Sequence, residues 1–130
     1  MDLDLRAEVV LSAQLTPVGP KERTLEGEPF ESELVLHKDS VTEMGIWEVT
    51  PGTFEGRKDG VCEVMHIVKG AGSITDQSGR VTAIAPGVIL FAPDGWRGIW
   101  RVTETLRKTY VISATPAGDR LEPALAGHEG

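Results

Sequence analysis

The sequence predicts one all-β domain, a barrel or a sandwich, and three observations support this fold class. Short apolar runs recur along the chain and are separated by turn residues, the pattern of sheets that pack on one another or close on themselves. Two of these runs, residues 63–70 (EVMHIVKG) and 87–95 (GVILFAPDG), have the composition of buried strands. No stretch shows a sustained 3.6-residue apolar period, so we expect no long amphipathic helix.

The composition suits a single globular domain. Of 130 residues, 40% are hydrophobic and 25% are charged, which is enough to bury one core without disulfide bonds. The net charge of −7 disfavours a nucleic-acid surface, which needs basic groups to meet phosphates, and it disfavours binding to anionic membranes. We therefore expect neither a nucleic acid nor a membrane as partner.

The expected compartment is the cytoplasm. Cys62 is the single cysteine, so no intramolecular disulfide is possible, and this suits a reducing environment. The first residues, MDLDLRAE, carry acids where a signal peptide needs a basic start and an apolar run. No apolar run approaches the roughly 20 residues that a membrane helix needs.

The predicted elements follow one another in short steps. Residues 8–15 form a candidate extended piece, which ends at the breaker cluster 16–20 (TPVGP). Residues 53–60 are polar and fit either a strand or a loop. Residues 104–108 are interpreted as a polar connection and residues 116–130 as a flexible tail. The remaining strands are predicted at 33–37, 44–50, 62–68, 73–75, 81–85, 88–92, 99–103 and 109–113.

Each of these strands has a local signal in the sequence. Residues 33–37 (ELVLH) alternate between polar and apolar side chains, and residues 62–68 carry β-branched and apolar residues on both faces. The turn dipeptide at 51–52 (PG) closes the strand before it. A hairpin turn is predicted at 76–79 (DQSG), and 93–95 (PDG) ends the strand at 88–92.

Two spaced motifs resemble the signature stretches of the RmlC-like cupin superfamily. Glu63 and Gly70 match the E-x6-G end of the first cupin motif, and Gly87, Pro93 and Gly95 match the G-x5-P-x-G of the second. The flanking segments GIWEVTPGTF and GWRGIWRVTETLRKTYVI are similar to small cupins grouped with ureidoglycine aminohydrolase and the ethanolamine-utilisation cupin. The resemblance covers roughly residues 44–112.

The resemblance implies a cupin double-stranded β-helix, which is a jelly-roll barrel with a cavity at one mouth where a small molecule binds. It implies a barrel over residues 31–115. Small cupins of this branch commonly pair as homodimers and often exchange N-terminal strands. Residues 1–30 are therefore expected to form an N-terminal arm that is swapped in a homodimer.

The first motif departs from the metal-binding pattern. A mononuclear cupin site uses three imidazoles and a carboxylate. The two positions before Glu63 that should be histidine fall on Gly56 and Lys58, or on Arg57 and Asp59 with the shorter spacing. A carboxylate beside a lysine or arginine forms an ion pair. We therefore expect Glu63 to pair with Lys58 or Arg57.

The second motif departs in the same way, because its histidine position falls on Gly98. We therefore predict no metal cofactor at the usual cupin site. Strand alternation directs Glu63 into the barrel and His66 away from it. The same alternation, counted from Gly98, directs Trp100 and Val102 inward.

The predicted site lies inside the barrel and includes one candidate catalytic residue, Glu63. A carboxylate against aromatic surface has a raised pKa, which suits proton transfer. The predicted ligand-binding residues are Glu63, Met65, Trp100, Lys58, Arg57 and Tyr110. Met65 and Trp100 either line the mouth or fill the core. Lys108 shares the parity of Tyr110, so it either reaches the cavity or bonds a carbonyl at the barrel rim, and we favour the rim. Trp47 is interpreted as a packing residue.

Three functions fit these residues. The first is a cupin that binds a small polar metabolite in the barrel without the three-histidine metal site, with or without enzymatic activity. The second is a non-enzymatic accessory or scaffolding dimer whose cavity is packed shut. The third is a metal-dependent hydrolase like ureidoglycine aminohydrolase, which the resemblance suggests and the missing histidines oppose.

Overall fold

The structure, a computed structural model, describes residues 3–116 and the backbone of residues 128–129. Every regular element within these residues is a strand, and no described helix is long and apolar enough to cross a membrane. The strands are β1 (Thr16–Pro20), β2 (Thr24–Gly27), β3 (Phe30–Lys38), β4 (Thr42–Val49), β5 (Gly52–Lys58), β6 (Val61–Asp76), β7 (Val81–Ile84), β8 (Ile89–Ala92), β9 (Arg97–Ala114) and β10 (His128–Glu129).

The strands form two facing antiparallel layers that share their two longest members. One layer runs β1-β3-β4-β9-β6-β8, and the other runs β2-β5-β9-β6-β7, with β10 also on β5. Strands β6 and β9 contribute one half to each layer, so the sheet curls into a barrel. The predicted jelly roll is confirmed.

The bend of β6 lies at residues 67–72, where its register against β9 shifts three times. Bulges of this kind increase twist and turn a strand from one sheet to the next. Two strands predicted at 62–68 and 73–75 are therefore one element. The connection predicted at 104–108 is wrong for the same reason, since β9 continues through it.

The N-terminal prediction is also wrong in detail. Residues 8–15 form no strand, because the Val9 carbonyl accepts hydrogen bonds from the amides of Ser12 and Ala13 in a tight turn. The breaker cluster at 16–20 is β1, which pairs with β3 through a bulge. Proline is tolerated there because β1 is an edge strand and needs hydrogen bonds on one side only.

The predicted tail at 116–130 lies mostly outside the described residues. Within it, residues 128–129 pair with residues 57–58 as β10. The prediction that the arm of residues 1–30 is swapped between two copies stays a prediction. In this chain β1 and β2 pair with their own β3 and β5.

The core lies between the two layers and centres on three aromatic rings. Phe54 and Trp100 stack with their centroids 6.0 Å apart, and Trp47 meets both of them edge-on at 6.4 Å. Side chains on alternate positions of β5, β6 and β9 surround these rings, as the two-residue period of a strand requires. The buried apolar set includes Val49, Val61, Met65, Ile67, Val102, Leu106, Tyr110 and Ile112.

The bulge in β6 depends on Gly70, and this dependence is testable. Gly70 has φ of +104°, and an added Cβ would lie 2.5 Å from the Thr105 carbonyl oxygen on β9. We expect Gly70→Ala to lower the free energy of unfolding by about 3 kcal/mol or more, measured by urea denaturation. Gly87→Ala is the matched control, since Gly87 has φ of +94° with open space around its Cβ position. In Gly87→Ala the free energy of unfolding should fall by about 1–2 kcal/mol only. Equal losses in both variants would contradict the close approach of Gly70 to β9.

Candidate functional site

A cavity of about 300 Å³ lies inside the barrel between β1, β3, β4, β6 and β9. Its walls combine an aromatic ring with an unusual number of charged side chains. The lining residues are Val18, Gly19, Pro20, Lys21, Glu22, Glu31, Glu33, Glu43, Trp47, Glu63, Lys108, Tyr110 and Ile112. A concave, partly apolar space with convergent polar groups is the usual form of a small-molecule site.

Glu63 is a buried polar group of the cavity wall, and two lysines pair with it. The Lys58 Nζ lies 2.8 Å from Glu63 Oε1, and the Lys108 Nζ lies 2.9 Å from Glu63 Oε2. All three side chains are buried. Strand alternation explains the convergence, because Lys58 shares the inward face of β5 with Phe54 and Lys108 shares the inward face of β9 with Tyr110.

Two ammonium groups share one carboxylate here, so the cluster carries one excess positive charge when all three groups are ionised. Burial alone would raise the pKa of Glu63, but attraction to Lys108 and Lys58 and their hydrogen bonds outweigh it and lower this pKa. The raised pKa expected from the sequence is therefore wrong. Glu63 is a carboxylate at neutral pH and acts as the counterion of two lysines.

Lys108 occupies an aromatic and polarisable environment. Its Nζ lies 4.4 Å from the ring centroid of Trp47 and 5.2 Å from that of Trp100, and the Met65 Sδ accepts a hydrogen bond from it at 3.2 Å. Burial lowers the pKa of Lys108 to about 8, although the charge of Glu63 acts in the opposite direction. Of the two positions considered for Lys108, the favoured rim position is wrong and the structure shows the alternative, because β9 continues through this position and directs Lys108 inward with Tyr110.

A third buried lysine, Lys21, comes from the segment between β1 and β2. Its Nζ lies 3.5 Å from Glu31 Oε1, and 5.1 Å and 5.9 Å from the ring centroids of Phe54 and Trp47. The Trp47 indole donates a hydrogen bond of 2.9 Å to the same Glu31 oxygen. Burial lowers the pKa of Lys21, while its pairing with Glu31 opposes this effect.

Two further carboxylates face the cavity beside Tyr110. The Tyr110 hydroxyl donates a hydrogen bond of 2.8 Å to Glu43 Oε2. Burial, and then this hydrogen bond, raise the pKa of Tyr110, so it remains a neutral donor. Burial also raises the pKa of Glu33, and repulsion from Glu43 and Glu31 adds to it.

The structure brings together three of the six predicted site residues at this cavity. Glu63 and Tyr110 line the cavity, and the Lys58 ammonium group forms an ion pair with Glu63. Met65 and Trp100 are core residues that also line another cavity, of about 320 Å³, formed with residues of β6, β7 and β8. Their role as ligand contacts stays a prediction.

Arg57 requires a correction. It lies on the outward face of β5, where its Nε is 3.4 Å from Asp59 Oδ2, and it does not meet Glu63. The register places residue 57 opposite Arg97, so alternation turns the side chain out of the barrel. The alternative in which Lys58 pairs with Glu63 is the one the structure shows.

Sequence reasoning missed most of the charged wall. Lys21, Glu31, Glu33 and Glu43 are absent from the predicted site, and Trp47 was interpreted as packing alone. One signal was present in the sequence: the segment FESELVL carries glutamates at alternate positions of a strand, which places both on one face. Their meeting with β1, β4 and β9 depends on long-range register, which no local pattern gives.

The residues present do not fit the metal that cupins of the mononuclear type hold. At Gly56 an added Cβ would lie 2.8 Å from the Trp100 Nε1, and at Gly98 it would lie 2.4 Å from the ring of Trp96. Two indole rings therefore occupy the space in which histidine side chains would stand. His66 is exposed on the outer face, and the described residues contain no group of three His, Cys, Asp or Glu side chains placed to hold a metal.

The comparisons with known proteins agree with the observed fold. Residues 36–110, more than half of the chain, match the model of the EutQ-like cupin domain. This chain belongs to the EutQ-like cupin family. No curated protein matches it.

Three solved structures illustrate the similarity of this EutQ-like cupin. A DUF861-family protein of unknown function from Pseudomonas syringae superposes with a TM-score of 0.70 at 24% identity, over 78% of this chain and 45% of its own. EutQ from Clostridium difficile gives 0.59 at 21% identity, over 73% and 71%. The polyketide cyclase RemF from Streptomyces resistomycificus gives 0.63 at 15% identity, over 93% and 89%.

These identities show a shared fold and leave activity open. The chain spans less than half the length of the Pseudomonas protein.

The Lys58–Glu63–Lys108 cluster yields a stability prediction. Glu63→Gln leaves two buried lysines without their carboxylate, so we expect the free energy of unfolding at pH 7 to fall by about 3–5 kcal/mol, measured by urea denaturation. Glu104→Gln, at an exposed position of β9, is the matched control and should change it by less than about 0.5 kcal/mol.

The stability difference between wild type and Glu63→Gln should also depend on pH. Because the folded-state pKa of Glu63 lies below its ordinary value of 4.5, its contribution is present above that pH and is lost as the pH falls through the folded-state pKa. The stability difference between wild type and Glu63→Gln should therefore shrink on acidification. A difference that stays constant down to pH 2 would contradict the ion-pair account.

Proposed function

We propose that this cupin binds a small polar metabolite in the 300 Å³ cavity without a bound transition metal, and that Lys108 is the group there suited to exchange a proton. One observation carries the proposal: an open cavity is lined by buried, mutually paired charges. Glu63, the predicted catalytic residue, serves in this proposal as the counterion that positions Lys108.

The charges support a binding role because they are costly to the fold. Taking an ion pair out of water costs several kcal/mol per ion, and well-packed apolar residues often give equal or greater stability. A fold that needed only a core would gain little from placing Lys21, Lys108, Glu31 and Glu63 around the cavity. Their placement on the wall of an open cavity is what a polar ligand requires.

The proton-exchange role follows from the two pKa directions. Glu63 stays ionised at neutral pH, so it has no proton to give. Lys108, with its pKa lowered to about 8, changes charge close to neutral pH. A group with a pKa near the working pH is the effective acid or base in catalysis.

The neighbours support the choice of a small molecule. RemF is described as a polyketide cyclase, and another similar fold, at 19% identity, is described as ectoine synthase. Barrels of this size therefore host reactions of small organic molecules. Their substrates are not carried over to this chain.

A blocking substitution tests the proposal. Val18 is 54% exposed and lines the cavity on β1, whereas Val81 is 63% exposed on β7 and does not line it. The thermal midpoint of wild type should rise with at least one of acetate, butyrate, butylamine, glycine, 4-aminobutyrate and urea. Val18→Phe should weaken that ligand's binding tenfold or more, and Val81→Phe should leave it unchanged.

Two outcomes would overturn the proposal. One is that no compound of the panel raises the midpoint, or that both phenylalanine variants respond like wild type. The other concerns the metal-dependent hydrolase, the third function drawn from the sequence. Elemental analysis of protein purified without added metal should show no stoichiometric metal, and one Mn, Zn or Fe per chain would favour that alternative.

We also propose that the chain forms a homodimer through its outer β3-β4-β9-β6-β8 face, the finer form of the accessory-dimer alternative. Four exposed apolar side chains form one row across this face, since Met44 pairs with Val111, Val111 with Val64, and Val64 with Phe91. A continuous apolar row of this kind marks an interaction surface.

The N-terminal arm makes the second copy the favoured occupant. The Arg107 Nη1 donates hydrogen bonds to the carbonyls of Val10 and Ala13, which fixes the arm on the same outer face. Leu3, Leu5 and Leu11 of the arm are 64–93% exposed. An apolar arm beside an apolar row on one chain is self-complementary, as a two-fold interface requires. The reducing, cytoplasmic location inferred from Cys62 is part of the same proposal.

The dimer is testable by sedimentation equilibrium. Wild type should sediment with twice the chain mass of 14.0 kDa. Phe91→Glu, in the apolar row, should raise the dimer dissociation constant at least a hundredfold, because burying an unpaired charge is costly. Val81→Glu, equally exposed but outside the row, is the control and should leave the dimer intact. A monomeric wild type would contradict the proposal.

A further inference from the structure

Lys108 is a buried amine on the wall of an open cavity. It extends from the middle of β9, where its backbone pairs with Trp47 on β4 and with Ile67 on β6, so strands hold it on both sides. Its side chain is 2% exposed, and it lines the 300 Å³ cavity. A small molecule that enters this cavity therefore comes into contact with the Lys108 side chain.

The surroundings of this amino group are those of a reactive lysine. The Lys108 Nζ lies 4.4 Å and 5.2 Å from the ring centroids of Trp47 and Trp100. A lysine is activated as a nucleophile when it is desolvated among apolar groups or placed next to another cation. Lys58 supplies the second cation, because the two lysines bind the two oxygens of the same Glu63 carboxylate at 2.8 Å and 2.9 Å.

The charges around Lys108 leave part of it as a neutral amine near neutral pH. Burial lowers its pKa to about 8; attraction to Glu63 opposes this effect, and repulsion from Lys58 and Lys21 adds to it. A lysine of ordinary pKa is almost wholly an ammonium ion at neutral pH and has no electron pair to donate. The loss of a proton that suits Lys108 to proton exchange therefore also provides an electron pair for attack on a carbon atom.

Lys21, the other lysine on the cavity wall, is less suited to this role. Burial lowers its pKa, but attraction to Glu31 and to the neighbouring Glu22 opposes the effect. Its ammonium group is paired with Glu31 at 3.5 Å. Lys58 is not one of the described residues that line this cavity. Lys108 is therefore the lysine at which a ligand in the cavity would react.

We propose that Lys108 forms a covalent imine with a small aldehyde or ketone in this cavity. The inference rests on the proposed function, and it specifies the ligand class as carbonyl compounds of a few carbon atoms. The cavity volume of about 300 Å³ lies at the lower end of the range for small-molecule sites, which suits ligands of this size. Lysine amines form imines with carbonyl substrates in covalent catalysis.

The reaction balances without a cofactor or an oxidant. After the Lys108 ammonium group loses a proton to water, its nitrogen electron pair forms a C–N bond to the carbonyl carbon. The C–O π electrons move to the oxygen, which takes up a proton from the nitrogen to give a carbinolamine. The proton lost at the start then returns to this oxygen, the C–O bond breaks with release of water, and the nitrogen electron pair forms the C=N bond. In sum, an ammonium ion and a carbonyl compound give an iminium ion and one water molecule.

Glu63 supports the product as it supports the unreacted lysine. The iminium ion carries the same positive charge as the ammonium ion that it replaces, so Glu63 keeps a charged partner at the position of Lys108. A buried carboxylate that loses its partner is costly to the fold. Because the charge is conserved, the covalent bond forms without this cost.

The test is reductive trapping in the wild-type protein. Propanal, butanal and butanone are incubated separately with the protein and sodium cyanoborohydride, which delivers hydride to the imine carbon and leaves a stable secondary amine. Peptide mapping by mass spectrometry then gives the rate of alkylation at each of the five lysines. With at least one probe, we expect Lys108 to be alkylated at least tenfold faster than Lys38 and Lys69, which are both exposed.

Variants and an internal reference connect the reaction to the cavity. Val18→Phe should slow the alkylation of Lys108 tenfold or more, and Val81→Phe should leave it unchanged. The N-terminal amine should be alkylated equally in all of these proteins, so it reports the reactivity of the reagents. Lys108→Arg keeps a positive charge and should remove the fast-reacting site. Since mapping in the wild type already locates this site, the test does not depend on whether Lys108→Arg folds.

The results separate this inference from the proposed function. If Lys108 reacts no faster than Lys38 and Lys69 with every probe, while a compound of the midpoint panel binds in a Val18-dependent manner, imine formation is wrong and metabolite binding stands. If Lys108 is alkylated in Val18→Phe at the wild-type rate, or if Lys21 is the fast-reacting lysine, the inference is equally wrong. If neither alkylation nor binding depends on Val18, both proposals are wrong.

Discussion

The hydrogen-bonded pairing of Glu63 with Lys58 and Lys108 is the constraint on which the interior of this barrel depends. Three strands, β5, β6 and β9, each contribute one buried charged side chain to this cluster beneath the cavity wall. The cluster depends most on Glu63, because removing this carboxylate leaves two buried ammonium groups without compensation. The cluster therefore fixes the relative register of the strands that form the cavity floor, and it sets the protonation of Lys108.

The same cluster explains why the barrel interior differs from that of a metal-binding cupin. Lys58 stands at one of the positions where a metal site would have histidine, and Glu63 keeps the carboxylate position with a lysine partner in place of a metal ion. The two remaining histidine positions are Gly56 and Gly98, over which Trp100 and Trp96 lie. The charged side chains inside this barrel are held by ion pairs and cation–π contacts, where a metal-binding cupin would use metal coordination.

Much of the fold was predictable because turn residues and strand alternation are local signals. The inward direction of Glu63 and the outward direction of His66 follow from a two-residue period and are found in the structure. The predicted elements are wrong where pairing with distant strands overrides a local sequence signal. A proline-rich edge strand was interpreted as a breaker, and the polar middle of β9 was interpreted as a connection although β4 and β6 flank it.

The site was less predictable than the fold for a related reason. Glu33 and Lys108 are 75 positions apart and meet only through the pairing of β3, β4 and β9. No spacing rule connects them, and a lysine on a strand is more often interpreted as a rim residue. Lys21 comes from an irregular segment, and its burial depends on the rings of Phe54 and Trp47 beneath it.

The placement of indole rings over Gly56 and Gly98 has a consequence for how this lineage can change. A histidine introduced at either position alone would strike a ring, and it would still lack the other imidazoles needed to hold a metal. A metallocentre at these positions would require several simultaneous replacements, including the tryptophans and the lysine at 58. Each single replacement would disturb the packed core without completing a metal site.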